Sequence, residues 1–220
     1  MSIPRNALTA ALAIIVMTVL LGVIYPLAIT GISQIAFPGN ANGQKVYVNG
    51  KLVGSKIIGQ QFATPVLKNG KPEEEKGVPV TTPDPRYFQT RPSATVPPDN
   101  AAATTFSNLG PNNKSTEEEI AANIKAYLEL NSPYDPALIS ANVPVDAADS
   151  SASGVDPDIS QANARIQAHR VAAIRHLPLS QVNELISRNT IGRSLGIFGE
   201  PGVNVLELNL ALDRLTGGTS

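Results

Sequence analysis

The chain has 220 residues, 42% of them hydrophobic, with 17 lysines and arginines against 18 aspartates and glutamates. That length holds one ordinary domain plus an anchor, and a net charge of −1 excludes a strongly basic nucleic-acid binder. There is no cysteine, which removes disulfides, thiolate catalysis and the common structural zinc sites, while 18 prolines and 17 glycines predict a chain rich in turns.

No charged side chain lies between Arg5 and Lys45. Within that gap the run from Ala7 to Phe37 is apolar over roughly 30 residues, where about 20 suffice to cross hydrocarbon. It predicts a permanent transmembrane helix that tilts, kinks at Pro26 or protrudes. A cleaved signal peptide would have an apolar core about half as long. Arg5 precedes the span and Lys45, Lys51 and Lys56 follow it, so the positive-inside count does not decide the orientation. Ala7, Ala11, Thr18 and Gly22 form one stripe at helical spacing, a face on which a partner helix can approach closely.

Behind the span, residues 38–220 read as a soluble, loop-rich α+β domain. Lys45 to Gly54 has the pattern of a hairpin turning at Asn49-Gly50, followed by a further strand at Ser55–Ile58. Thr64–Pro85, with Glu73-Glu74-Glu75 in its middle, reads as an exposed loop or insertion. Pro92 to Thr105 is a second irregular stretch. The remainder is mostly helical. Ser115-Thr116-Glu117-Glu118 predicts a capping box, and Ile120, Ile124, Tyr127 and Leu128 share the face behind it. A second helix is expected from Ser160 to His176. A third follows Pro178, capped by Ser180 and burying Val182, Leu185 and Ile186. Residues 203–212 fit a strand running into a helical turn.

Most motifs fail on their chemistry. Gly54 and Gly59 have P-loop spacing without the lysine and hydroxyl that hold phosphates and magnesium. Gly192-Arg-Ser-Leu-Gly196 matches a nucleophile elbow, yet no histidine follows Ser194, so a turn is expected. His169 and His176 lie two helical turns apart, too far for one zinc ion. Asn113-Lys114-Ser115 is a glycosylation sequon by pattern only, with Ser115 as the expected cap. Ser151, Ser153, Gly154 and Asp156 precede the Ser160 helix and read as an Asx/Ser turn or, alternatively, an anion-binding helix start. Arg91, beside Tyr87 and Phe88, is expected either to pair within the chain or to anchor a partner carboxylate. None of these makes an enzyme by itself.

Six segments occur in a fixed order behind the anchor: GSKIIGQQF (54–62), YFQTRPSA (87–94), SNL (107–109), VPV (143–145), SASGVDPDIS (151–160) and GIFGEPGVNVLELNLALDRL (196–215). On these the chain resembles the C-chain (KdpC) family of the bacterial high-affinity potassium-transporting P-type ATPase. The stretch Thr64–Pro85 departs from it by its length. The resemblance implies a non-catalytic subunit of the inner membrane, needed for assembly and activity. Its partners would be a channel-like potassium-binding subunit, a P-type ATPase subunit and a small single-helix subunit. It implies no cofactor of the chain's own, with ATP at most at the interface with the ATPase subunit, where Gln167 matches a glutamine proposed to touch nucleotide in a catalytic-chaperone role. It also implies a cytoplasmic N-terminus and an extracytoplasmic domain, where Glu73–Glu75, Asp84 and Asp99 could concentrate cations. The last two expectations conflict, because a domain outside the cytoplasm cannot reach cytoplasmic ATP; the residues alone favour packing for Gln167. Thr18, Gly22, Arg91, Ser153, Gly154 and Asp156 are the expected partner contacts. The competing class is a free-standing anchored module that binds a solute or peptide.

Overall fold

The computed structural model describes residues 3–75, 77–103, 105 and 108–217; Ser107 of the SNL triplet lies outside them. The chain divides into two compact units, Met1–Lys45 and Val46–Ser220.

The first unit is helical. Helix α1 (Ile3–Val19) passes through a π-helical turn (Leu20–Ile24) into α2 (Tyr25–Ala36), and a single turn, α3 (Pro38–Ala41), follows. Pro26 has no N–H to donate to Gly22 and its ring crowds that carbonyl. The chain answers by changing register just before it, where the Tyr25 N–H donates to Leu20 O, five residues back. The helix therefore runs through the proline. From Pro4 to Ala36 it spans 33 residues with mean hydropathy 2.7 in its most apolar window, and none of that window is buried. It is long and apolar enough to cross a membrane, at about 50 Å by helical rise.

The second unit opens with the expected hairpin, β1 (Lys45–Val48) and β2 (Lys51–Ser55). Asn49 and Gly50 supply the two positive φ angles of its turn, 50° and 77°. No strand follows at Ser55–Ile58. Ser55 ends β2 and meets Ile58 in an isolated bridge, a tight turn that closes on itself.

Residues 63–83 are not a loop but a three-armed β structure. The stem pairs β3 (Ala63–Pro65) with β8 (Thr81–Pro83). One arm pairs β4 (Leu67–Lys68) with β5 (Lys71–Pro72), and the other pairs β6 (Glu74–Glu75) with β7 (Val78–Pro79). At the junction three backbone bonds of 2.8 Å run in a circle: Val66 N–H to Val80 O, Val80 N–H to Glu73 O, and Glu73 N–H to Val66 O. This ring satisfies backbone groups that the short ladders leave over. The prolines conceal the strands, because each sits at an edge or an end where its missing donor is tolerated.

The segment from Asp84 to Asn113 has no helix or strand among its described residues. Helix α4 (Lys114–Asn131) follows, capped by Asn113 rather than Ser115: the Asn113 Oδ1 accepts the Ser115 N–H at 2.9 Å. The short α5 (Val145–Ala148) leads to β9 (Asp158–Ile159). Ser160 caps α6 (Gln161–Arg175), and His176 ends it at φ 55°, as the sequence predicts. Helix α7 (Leu179–Arg188) begins at Pro178 without a side-chain cap, so Ser180 lies inside it; Val182 and Ile186 are buried and Leu185 partly so. Strand β10 (Thr190–Ile191) pairs with β11 (Gly202–Asn204), which also pairs with β9, giving the antiparallel order β10-β11-β9. The strand predicted from 203 stops at Asn204, and three turns of helix, α8 (Val205–Thr216), replace the single expected turn. The core packs Phe88 among Ala168 and Val171 of α6, Val182 of α7, and Leu208 and Leu212 of α8.

Asn204 explains the switch at 204. Its Oδ1 accepts the Glu207 N–H at 3.1 Å, while its Nδ2 donates to Lys56 O at 2.8 Å and to Asp158 at 3.1 Å. Asn204→Ala loses a cap and takes the Asn204 donor from two part-buried acceptors, an expected cost of about 2 kcal/mol. Asn113→Ala, which removes an exposed cap only, is expected to cost about 1 kcal/mol. Thermal unfolding of the detergent-solubilised chain should show the larger drop for Asn204→Ala.

Candidate functional site: an amide-lined groove around residues 84–99

The segment 84–91, buried at Asp84 and Phe88 and outside any helix or strand, has N–H and C=O groups that need partners from elsewhere. Side chains supply them. The Asn209 amide of α8 brackets Phe88, accepting its N–H and donating to its O, both at 2.9 Å. The Gln167 amide of α6 does the same to Gln89, at 2.8 and 3.1 Å. Two helices thus act as the neighbouring strands of a one-strand sheet, and Phe88 is free to bury its ring completely.

Arg170, one turn beyond Gln167, is fully buried. Its Nη1 donates to Pro85 O and, at 3.0 Å, to Tyr87 O; its Nη2 donates to Gln167 Oε1 at 2.9 Å and its Nε to Asn131 Oδ1 at 3.0 Å. None of these partners is a carboxylate. Burial brings the guanidinium down to about 10, which leaves it charged at neutral pH. The network continues through Asn163: its Oδ1 accepts from Gln167 Nε2 and the Tyr127 hydroxyl, both at 2.9 Å, and its Nδ2 donates to Asp146 at 3.0 Å. Burial, reinforced by the Asp146 charge, raises the Tyr127 hydroxyl well above its usual range.

A second cluster holds the other side of the segment. Arg175 pairs with Asp213 at 2.8 Å and lies 4.5 Å from the centre of the Tyr87 ring, whose hydroxyl donates to the same Asp213 at 3.2 Å. Asp84 is buried and forks onto Arg86 at 2.6–3.2 Å, and that hydrogen-bonded guanidinium holds its carboxyl below the usual range. Asp84 is therefore closed to passing cations.

The glycine-bearing segments meet one another. Ser93 Oγ donates to Gly154 O at 2.6 Å, and the Ser151 N–H donates to Pro92 O at 3.0 Å. Gly154 sits at φ 72°, and a Cβ there would come within 2.6 Å of Thr95 and of Thr105 O. Gly59 approaches the same turn so closely that a Cβ would lie 2.6 Å from Asp156 O. Close approach, not phosphate binding, is what this structure asks of these glycines. Arg91 pairs within the chain, its Nη1 donating to Asp156 Oδ2 at 3.2 Å. Of the expected partner contacts in this unit, Ser153 is exposed, Gly154 is buried, and Arg91 and Asp156 are each half-buried in their mutual ion pair.

Between α4 and the 89–99 segment runs a groove of about 280 Å³, bordered by Gln61, Gln89, Arg91, Asp99, Tyr127 and Gln167. Gln167 is only 1% exposed there, with both amide atoms already engaged. Asp99 accepts from Thr90 Oγ1 at 2.9 Å; burial pushes its carboxyl up to about 6, with the Asp156 charge adding to the effect. The groove offers amides, one paired guanidinium and one carboxyl that takes up a proton near neutrality. No cluster of three or more histidine, aspartate or glutamate side chains suited to a metal occurs among the described residues.

A family model described as the c chain of the K+-transporting ATPase, KdpC, matches residues 7–214. The chain belongs to the KdpC family. It is 42% identical to the potassium-transporting ATPase KdpC subunit of Mycobacterium tuberculosis over 212 residues, covering 96% of this chain and 99% of the relative. It is 44% identical to the KdpC subunit of Herpetosiphon aurantiacus, covering 94% of each chain. It is also 44% identical to that of Ralstonia nicotianae, covering 94% of this chain and 91% of the relative. Within this member of the family, sequence reasoning finds Gln167 and Arg91 but misses Asn131, Asn163, Arg170 and Asn209. A signal is present: Asn163, Gln167 and Arg170 recur at helical spacing on the stripe that holds Ala164, Ala168 and Val171, where apolar residues are the rule.

Asp99 generates a pH-dependent prediction. Its folded pKa of about 6 lies above the unfolded value near 3.8, so the native state binds the extra proton between those limits. Stability is full below about pH 4, falls as pH rises through 6, and is then lower by about 2–3 kcal/mol. Asn tolerates the φ of 56° at this position. Asp99→Asn should therefore raise the unfolding midpoint at pH 8 by several degrees, leave it nearly unchanged at pH 4, and flatten the slope between.

Proposed function

We propose that this chain is a non-catalytic, single-span accessory subunit of a high-affinity, ATP-driven potassium uptake pump, required for the pump's assembly and activity. The observation that carries it is the family match across residues 7–214 together with relatives aligned over nearly their whole length. Its partners are a channel-like potassium-binding subunit, a P-type ATPase subunit and a small single-helix subunit. The helix from Pro4 to Ala36 anchors it in the bacterial inner membrane with the N-terminus cytoplasmic and residues 38–220 outside. The anchor's Thr18–Gly22 stripe is the face for a partner helix. A Cβ on Gly22 would have the Thr18 methyl, at 3.9 Å, as its nearest neighbour, so the backbone there is open to close packing.

In this reading the domain acts on the pump by contact, and Gln167 is structural. Its four hydrogen bonds support that role, since an ATP contact would have to break at least one of them. The competing reading, a catalytic chaperone that raises ATP affinity, draws on Gln167 bordering the groove and requires the domain to be cytoplasmic.

Co-purification from native membranes is the test. A tagged chain should bring down the other pump subunits; a free-standing binding module would come down alone. Lys71→Cys, the only cysteine in the chain and exposed on an arm of the β structure, should react with an impermeant thiol reagent on intact cells. Gln167→Ala leaves Arg170 and Gln89 short of partners and should cost about 1–3 kcal/mol of stability without changing the ATP concentration for half-maximal pump activity. Labelling only after lysis, joined to a raised ATP requirement, would establish the chaperone instead.

A further inference from the structure

The anchor helix contains a backbone carbonyl for which it has no donor of its own. In an α-helix the Leu21 carbonyl takes the N–H of residue 25, and in a π-turn that of residue 26. Here the Tyr25 N–H donates to Leu20 O instead, and residue 26 is a proline with no N–H to give. Gly22 O loses its α-helical donor to the same proline. A hydroxyl four residues on would close the gap, as Thr9 Oγ1 does for Arg5 O at 3.0 Å. Position 25 holds a tyrosine instead, whose hydroxyl stands at the far end of a ring, and no side chain among the described residues donates to Leu21 O. Leu21 also lies near the middle of the 33-residue helix from Pro4 to Ala36, the depth at which hydrocarbon offers no water to an open acceptor. Beside it Gly22 has no side chain, and a Cβ there would meet only the Thr18 methyl, at 3.9 Å. A neighbouring helix can therefore come close enough to reach the carbonyl.

We infer that Leu21 O is a docking acceptor: it takes a hydrogen bond from a hydroxyl or carboxamide side chain on a membrane-spanning helix of the channel-like potassium-binding subunit, packed against the Thr18–Gly22 face. The inference rests on the membrane-spanning, pump-subunit reading above. Chemistry selects the occupant. Acyl chains carry no donor. A buried water needs several polar partners, and Leu20, Val23 and Ile24 around the carbonyl supply none. A second copy running parallel would bring residues 22–26 to the level at which the carbonyl points. Their one side-chain donor is the Tyr25 hydroxyl, set on a ring too large for the close approach that Gly22 permits. Among the other pump subunits, polar side chains at mid-membrane are costly and mark an ion's path. The subunit that binds potassium within the membrane is the one whose own task places them at that depth. Pro26 and the π-turn then have a use in the assembly: together they open an acceptor in a helix that would otherwise present only apolar surface there.

The test uses the full chain co-expressed with the other pump subunits. Pro26→Ala supplies the missing N–H, so the ladder can return to α-helical register, with the Tyr25 N–H on Leu21 O and the new N–H on Gly22 O. The variant should stay in the membrane, and its unfolding midpoint in detergent should stay level or rise. Recovery of the channel-like subunit should nevertheless fall by about five- to tenfold, the scale of one interhelical hydrogen bond. Pro38→Ala is the control. That proline begins the single turn after the span, where a missing N–H leaves no carbonyl open, and recovery should not change. A photo-crosslinking amino acid placed at Tyr25 should join the chain to the channel-like subunit. Undiminished recovery with Pro26→Ala, an equal loss with Pro38→Ala, or crosslinking only to a second copy, to lipid or to another subunit overturns the inference. If the unaltered chain recovers no other pump subunit, the pump reading itself fails, a result distinct from loss of the acceptor alone.

Discussion

The second unit depends on keeping a charged guanidinium in its interior. Arg170 sits where an aliphatic residue would normally pack, and burying an unpaired cation is among the most unfavourable steps a core can take. Four oxygens from Pro85, Tyr87, Asn131 and Gln167 replace its hydration. Two of them are backbone carbonyls of the irregular 84–91 segment, so the arginine and the segment each satisfy what the other leaves open. Neither can be explained alone. Remove the cation and Pro85 O loses its donor while Tyr87 O keeps only Gln89 Nε2 at 3.2 Å; straighten the segment into a helix and the same carbonyls turn inward to their own chain.

From that mutual requirement the other placements follow. Gln167 and Asn209 hold the peptides next to those carbonyls, which fixes Phe88 as the ring at the centre of the core. Tyr87 then faces the other way, under the Arg175–Asp213 pair and against Phe62 at 5.5 Å. Beyond Gln89 the chain turns out toward Ser93 and Thr95, whose hydroxyls order the next loop by accepting from the N–H groups of Asp99 and Asn100. The segments that repeat the family's sequence pattern are in contact here because each carries a backbone that another must cap.

Regular elements are legible where local rules act alone. Asn49-Gly50, Ser160 and the Val182–Ile186 face each declare themselves within four residues. Thr64–Pro85 misleads because proline and charge argue against strands, whereas two-residue ladders joined by a ring of three bonds need no long run of β-formers. Ser115 opens a capping motif, but Asn113, two residues earlier, fills the role more simply. Asn204 misleads for a different reason: the leucines after it alternate and also fit a helix, and only a side chain bonded to Lys56, 148 residues away, ends the strand there. The polar hub is the least legible feature. Its partners lie 78 to 85 residues apart for Gln167 with Gln89 and Arg170 with Pro85, and no local pattern announces a pairing across that distance.

The distribution of charge bears on how such a domain can be recognised within a larger assembly. Arg86, Arg91, Arg175 and Arg193 are each matched to a carboxylate of this chain, and Arg170 is closed in by neutral oxygens. These arginines stiffen the domain and are not themselves free to steer a partner at long range. Recognition by shape and apolar contact acts only at close quarters and so favours a partner already held nearby. A 33-residue apolar helix, long enough to cross a membrane, would meet that condition by holding the chain beside any partner in the same membrane, where contact rather than electrostatic capture can settle where a domain rests.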